Sequence, residues 1–171
     1  VEDKPSIVSV KFWVRTPRLP IYFEKTLTLE SGTAILNINE TIINEGEEQI
    51  DIVWGEHIAL GSPFLNEDCV LDLPGGSILN EDDWHPNNRL KPNHKSSWPI
   101  TETKAGNPVD LSKFPPKSER VNDMSYVVDM PDGWYAVTNT KKGVGFGVRF
   151  PKEVFPTLWY WQCLGGAFGY P

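Results

Sequence analysis

A chain of 171 residues has the length of one domain at roughly 150 residues per domain, and its 39% hydrophobic and 23% charged residues exclude a disordered chain. A net charge of −7 and a pI near 5.0 exclude the basic face that phosphate binding needs, so nucleic acid is not an expected partner. No apolar run approaches the roughly 18 residues of a membrane span and no charged-then-apolar leader opens the chain, so a cytoplasmic protein without a membrane segment is expected.

With 14 Gly, 15 Pro and 12% aromatic residues, the composition points to short strands joined by many turns. Four strands are predicted in the first third, over about 6–16, 20–30, 33–44 and 48–60. Turn signals at Pro17 to Pro20, Ser31-Gly32 and Asn44-Glu45-Gly46 separate them. In the fourth, Ile50, Ile52, Trp54, Glu56 and Ile58 alternate with Asp51, Val53, Gly55, His57 and Ala59, as a period of two requires. A short strand at 69–73 follows.

The stretch from Pro74 to about Val121 is rich in Pro and Asn and lacks periodicity, so it reads as one long loop. Trp84, Trp98, Leu111 and Phe114 would be costly to leave in water, which predicts an ordered excursion over the sheet and not a linker. The last third returns to strands at about 124–130, 133–140, 143–150 and 155–163. Pro131-Asp132-Gly133 and Lys141-Lys142-Gly143 supply hairpin turns between them. The fold class expected is all-β: a single large antiparallel β-sandwich over 1–171. The apolar C-terminal run from Trp159 to Pro171 has no polar tail, which predicts that the sandwich continues in a longer chain.

Three groups of residues carry possible chemistry. The run Trp54-Gly55-Glu56-His57 puts a histidine at the end of a predicted strand, where it could give or take a proton near neutral pH. The alternative is a packed, hydrogen-bonded side chain; Glu56 projects to the opposite face and cannot orient it. In Leu158-Trp159-Tyr160-Trp161-Gln162, the two indoles share one face. Indoles are platforms for the apolar faces of sugar rings, and Gln162 offers both a donor and an acceptor for hydroxyls. Paired Trp are equally at home in a core. The acidic run Glu81-Asp82-Asp83 with His85 and His94 lacks the spacing of calcium or zinc ligands, so no metal is expected.

Gly143-Val144-Gly145-Phe146-Gly147 precedes no helix and reads as strand glycines, not as a phosphate loop. Cys69 and Cys163 fit neither a redox pair nor a zinc spacing, and a disulfide between them stays open at this point. The sequon Asn39-Glu40-Thr41 is as compatible with chance as with use.

Taken in order, several segments together resemble the galactose mutarotase-like, or aldose 1-epimerase, superfamily. They are Asn39 to Gly46, Trp54-Gly55-Glu56-His57, Pro63-Phe64, Val70 to Pro74, Asn122-Asp123, and Gly143 to Phe146 with Phe155 to Gln162. The Trp-rich version is most similar to an uncharacterised bacterial branch.

The resemblance implies a large β-sandwich, incomplete in this chain, that binds a small-molecule carbohydrate without metal or organic cofactor. It implies ring opening and reclosure by an acid and a base. His57 matches the acid, Asp123 and Gln162 match substrate contacts, and Trp159 and Trp161 would form an aromatic wall. The His that often follows the Asp is Met124 here, and the family's early sugar-binding His and Asn have no counterpart. The Glu base is expected beyond Pro171, so the implied partners include the missing parts of the same longer chain. A non-catalytic carbohydrate-binding module is the alternative.

Overall fold

The computed structural model describes residues 1–167, which divide into two compact units at Val53 and Trp54. The protein is all-β and antiparallel. Among the described residues no helix is long and apolar enough to cross a membrane.

The first unit is a meander of four strands: β1 (Glu2–Lys4), β2 (Ile7–Arg15), β3 (Ile21–Glu30) and β4 (Leu36–Asn44), paired in that order. Register explains its two faces. Val8, Leu29 and Leu36 are neighbours across the sheet, as are Val10, Leu27 and Ile38, and Val14, Phe23 and Ile42. Period-two geometry puts all nine on one side. The other side carries Ser9, Thr28 and Asn37, then Lys11, Thr26 and Asn39. An Asx turn closes β4: the Asn44 side chain accepts from the Gly46 N–H at 3.0 Å and donates to the Glu48 carbonyl at 2.7 Å.

The strand expected over 48–60 is corrected here. Residues 49–60 belong to no strand. Alternation shows which sides a strand could present; the strand itself needs a ladder on a neighbouring edge.

The second unit holds two larger sheets. In one, β13 (Leu158–Leu164), β10 (Val121–Val128), β6 (Ser77–Asn80) and β7 (Lys95–Ser97) pair in that order. In the other, β12 (Val144–Arg149), β11 (Trp134–Asn139) and β5 (Cys69–Asp72) pair in that order. A two-stranded ribbon of β8 (Ile100–Glu102) and β9 (Pro108–Asp110) completes it. The packing is sandwich-like. Cys69, Leu71, Phe114 and Val137 form one buried cluster, Ile78, Leu90 and Leu111 another, and Trp98 and Tyr160 pack against both.

The region expected to be a long loop is ordered, but it is not mostly loop: it supplies β6, β7, β8, β9 and a 3-10 turn at Lys117–Glu119. Strands of three or four residues are too short for alternation to register, and burial of Ile78, Leu90 and Leu111 fixes them instead. Leu111 and Phe114 are buried as expected, while Trp84 stays 45% exposed. Both cysteines are free thiols, and Cys69 donates to the Phe64 carbonyl at 3.4 Å.

Candidate functional site: the two faces of the β10–β13 pair

Strands β10 and β13 are locked in register, with Asp123 opposite Gln162, Ser125 opposite Tyr160 and Tyr126 opposite Trp159. Directly opposed residues share a face, and successive residues alternate. Asp123, Ser125, Tyr160 and Gln162 therefore share the inner face, while Met124, Tyr126, Trp159 and Trp161 share the outer one. Beyond the end of β6, the chain continues along the free edge of β10. The Glu81 N–H donates to the Met124 carbonyl at 3.1 Å, and the Asn122 N–H donates to the Asn87 carbonyl at 3.1 Å. This edge segment carries Trp84 and His85 to the outer indoles and Arg89 to the inner polar groups.

On the inner face, Arg89 is the organiser. Its backbone N–H donates to Asp123 Oδ1 at 2.8 Å, its Nε–H to Oδ2 at 2.6 Å and its Nη2–H to Gln162 Oε1 at 3.2 Å. Gln162 passes the network on through Nε2, which donates to the Lys113 carbonyl at 3.1 Å and to the Tyr160 hydroxyl. That hydroxyl in turn donates to the Leu111 carbonyl at 3.1 Å. Asp123 and Gln162 are 2% and 3% exposed, so both are fully engaged inside the fold. Burial pushes the Asp123 carboxyl above its usual range, and the charge and hydrogen bonds of Arg89 work against that rise. Burial also pushes the Tyr160 phenol well up.

The outer face is aromatic and open. Trp159 is 63% exposed and meets Tyr126 edge-on, with ring centroids 5.5 Å apart. Trp161 meets Trp84 edge-on at 6.3 Å and donates its indole N–H to Asn122 Oδ1 at 2.6 Å. The Tyr126 hydroxyl donates to Glu81, a hydrogen bond that pushes its phenol up to about 12. His85 accepts the Asn87 N–H at its Nδ1 at 3.0 Å, which leaves Nε2 as the nitrogen able to donate. Its ring lies 5.6 Å from that of Trp84. An open hollow of about 360 Å³ beside β12 is lined by Asp132, Arg149 to Lys152 and Glu153, none of them part of this face.

The structure thus brings Asp123 and Gln162 together, and Trp159 and Trp161 together, but on opposite sides of one sheet. His57 is exposed and lies outside any strand, in the segment after β4. Among the described residues no group of three or more His, Cys, Asp or Glu is arranged to hold a metal. Sequence reasoning missed Arg89 and the Glu81–Tyr126 pair. No local motif marks an Arg whose partners lie 34 and 73 positions away.

The fold and this sheet define an all-β antiparallel protein with an exposed aromatic face backed by a buried Arg–Asp–Gln network. The chain belongs to a family described as a domain of unknown function, DUF4432, whose model matches residues 16–170. No curated protein and no solved structure matches it.

Proposed function

We propose that this protein binds a carbohydrate, a free sugar or a sugar derivative, in the manner of an aldose 1-epimerase-like protein. One observation supports the reading most. Trp159, Trp84, Trp161 and Tyr126 lie on or against one sheet face, with Trp159 and Trp84 exposed and hydrogen-bonding groups of Glu81 and His85 beside them. An apolar ring face lies on an indole while the equatorial hydroxyls find polar partners at its rim. The Arg89–Asp123–Gln162 network stiffens the sheet from behind. Asp123 and Gln162 then support the site through the strands they hold, without touching the sugar.

The catalytic half of the reading gives His57 the role of proton donor to the ring oxygen, with a Glu expected downstream as the base. Acid and base must act together, because neither opens a hemiacetal ring quickly alone at neutral pH. A second reading, a carbohydrate-binding module without catalysis, is favoured by the exposure of His57 outside any strand.

Polarimetry on freshly dissolved α-glucose and α-galactose separates the two. Epimerase function predicts that a chain carrying the downstream Glu accelerates mutarotation and that His57→Ala lowers the rate about 10²-fold or more. A rate untouched by His57→Ala removes the catalytic reading. Binding is tested by tryptophan fluorescence across a panel of aldoses. Millimolar affinity is expected for a single sugar on so open a face, roughly −4 kcal/mol, and no response to any sugar removes the binding reading.

A further inference from the structure

The polar side of the first unit's sheet carries one large aromatic body. Trp13 is 65% exposed, and among the described residues its indole meets no other ring and makes no hydrogen bond. Nine consecutive residue pairs join β2 to β3 and nine join β3 to β4 with no bulge, so the surface around the indole is regular and open. Its nearest neighbours on that side are Lys11 and Arg15 along β2 and Glu24 directly opposite on β3.

We propose that this side of the sheet binds a neutral oligosaccharide chain, with Trp13 as its platform. The charges beside the indole are already answered within the protein. Lys11 Nζ meets Glu24 Oε1 at 2.8 Å, and the Tyr22 hydroxyl donates to Glu24 Oε2 at 2.9 Å. Arg15 pairs with Glu45 through two bonds of 2.9 Å, and its guanidinium lies over the Tyr22 ring, 5.0 Å from the centroid. Each cation is matched by an anion, so the face has no excess charge to attract an ionic ligand. What it offers is an indole for an apolar ring face, rimmed by polar groups for hydroxyls.

Register sets the length of the ligand. Trp13 faces Glu24 and Glu24 faces Thr41, so the indole and the Thr41 hydroxyl stand two strand spacings apart, about 10 Å. Asn39 and Asn37 follow on the same side of β4 at steps of about 7 Å. All three side chains are exposed and hydrogen-bond to nothing among the described residues, so each has a donor and an acceptor to spare. A single sugar ring stacked on Trp13 does not reach them. A chain of several rings does, with one ring on the indole and hydroxyls of the next ones at Thr41 and the two amides. These strands are not those of the β10–β13 face, so the two can be broken separately.

Affinity electrophoresis of the intact chain in native gels containing hydroxyethylcellulose, xylan, galactomannan or dextran reads the binding directly. At least one of these neutral polymers is expected to retard it. Trp13→Ala is expected to bind that polymer about tenfold or more weakly, the loss typical of an aromatic anchor, and Trp13→Phe to keep part of the affinity. Trp159→Ala is expected to be retarded like the unmodified chain. Oligosaccharides cut from the same polymer should compete, and its single sugar should not. Retardation by none of the four polymers overturns the proposal, and so does equal retardation of Trp13→Ala. Equal competition by the single sugar overturns the length of the ligand. A dimer in sedimentation that forms without polymer and is lost in Trp13→Ala overturns the choice of occupant in favour of a second copy.

Discussion

The sheet of Val1–Val53 and the strands that follow Trp54 are paired by the same antiparallel ladders, yet different forces hold them. The first has strands of nine or ten residues, and Ile21 is its single buried side chain among the described residues. Its order comes from long, regular pairing, while exposed ion pairs such as Arg15 with Glu45 and Lys11 with Glu24 sit on its surface and add little. Beyond Trp54 most strands are shorter, and they are set by two apolar clusters and a buried polar network. A long ladder holds side chains in register without enclosing them, whereas short strands stay in place only where burial holds both ends.

Truncating the enclosed region should therefore be far more damaging than truncating the open one. Ile78→Ala or Leu111→Ala is expected to cost about 2–5 kcal/mol, the range for removing a large side chain from a packed core. Phe12→Ala, at a position 53% exposed, should change stability by less than about 0.5 kcal/mol. Urea denaturation of the three variants measures the contrast, and equal losses would erase the distinction drawn between the regions.

The polar network sharpens it further. Asp123→Asn keeps the volume but removes the charge that meets Arg89 at 2.6 Å, so it should cost about 1.5–3 kcal/mol, the range for a hydrogen bond to a charged group. The same urea series reads it. A neutral result would mean that the network fills space without holding the sheet.

A smaller effect appears at high pH. Burial pushes the Tyr135 phenol up to about 12, and Glu81 does the same for Tyr126. Between their ordinary value near 10 and this raised value the folded chain keeps protons that the unfolded chain has lost. Their contribution is therefore fully present below pH 10 and lost as pH rises through 12. Ultraviolet titration should show phenols ionising late, with one fewer in Tyr126→Phe. Ionisation of every phenol near its ordinary value would contradict the assignment.

The smallest effect belongs to the open sheet. Arg15 and Glu45 form a two-bond pair at 2.9 Å, but solvent surrounds both. Arg15→Ala should leave the unfolding midpoint unchanged within error, at low salt as at high salt.

These contrasts also explain what the sequence could reveal. The strands expected over 6–16, 20–30 and 33–44 correspond to Ile7–Arg15, Ile21–Glu30 and Leu36–Asn44, because nine residues of alternation outweigh chance. The strand expected at 124–130 begins three residues earlier, at Val121, where burial of Val121, Asn122 and Asp123 gives no alternation to read. Within the candidate site, the shared face of Trp159 and Trp161 followed from strand parity. The burial of Asp123 and Gln162 did not, because it depends on Arg89 arriving from a loop with no motif. The segment 48–60 shows the converse: its pattern is that of a strand, and the pairing that would make it one lies outside the pattern.

The central claim is that the outer face of β10 and β13 receives a sugar, and Trp159 is its most exposed indole. Saturation-transfer NMR with free aldoses, run on the unmodified chain and on Trp159→Ala, tests it most directly. The account predicts transfer to the ring protons of at least one sugar with the unmodified chain and its loss in Trp159→Ala, while the fold is retained. Equal transfer in both, or none in either, would contradict it.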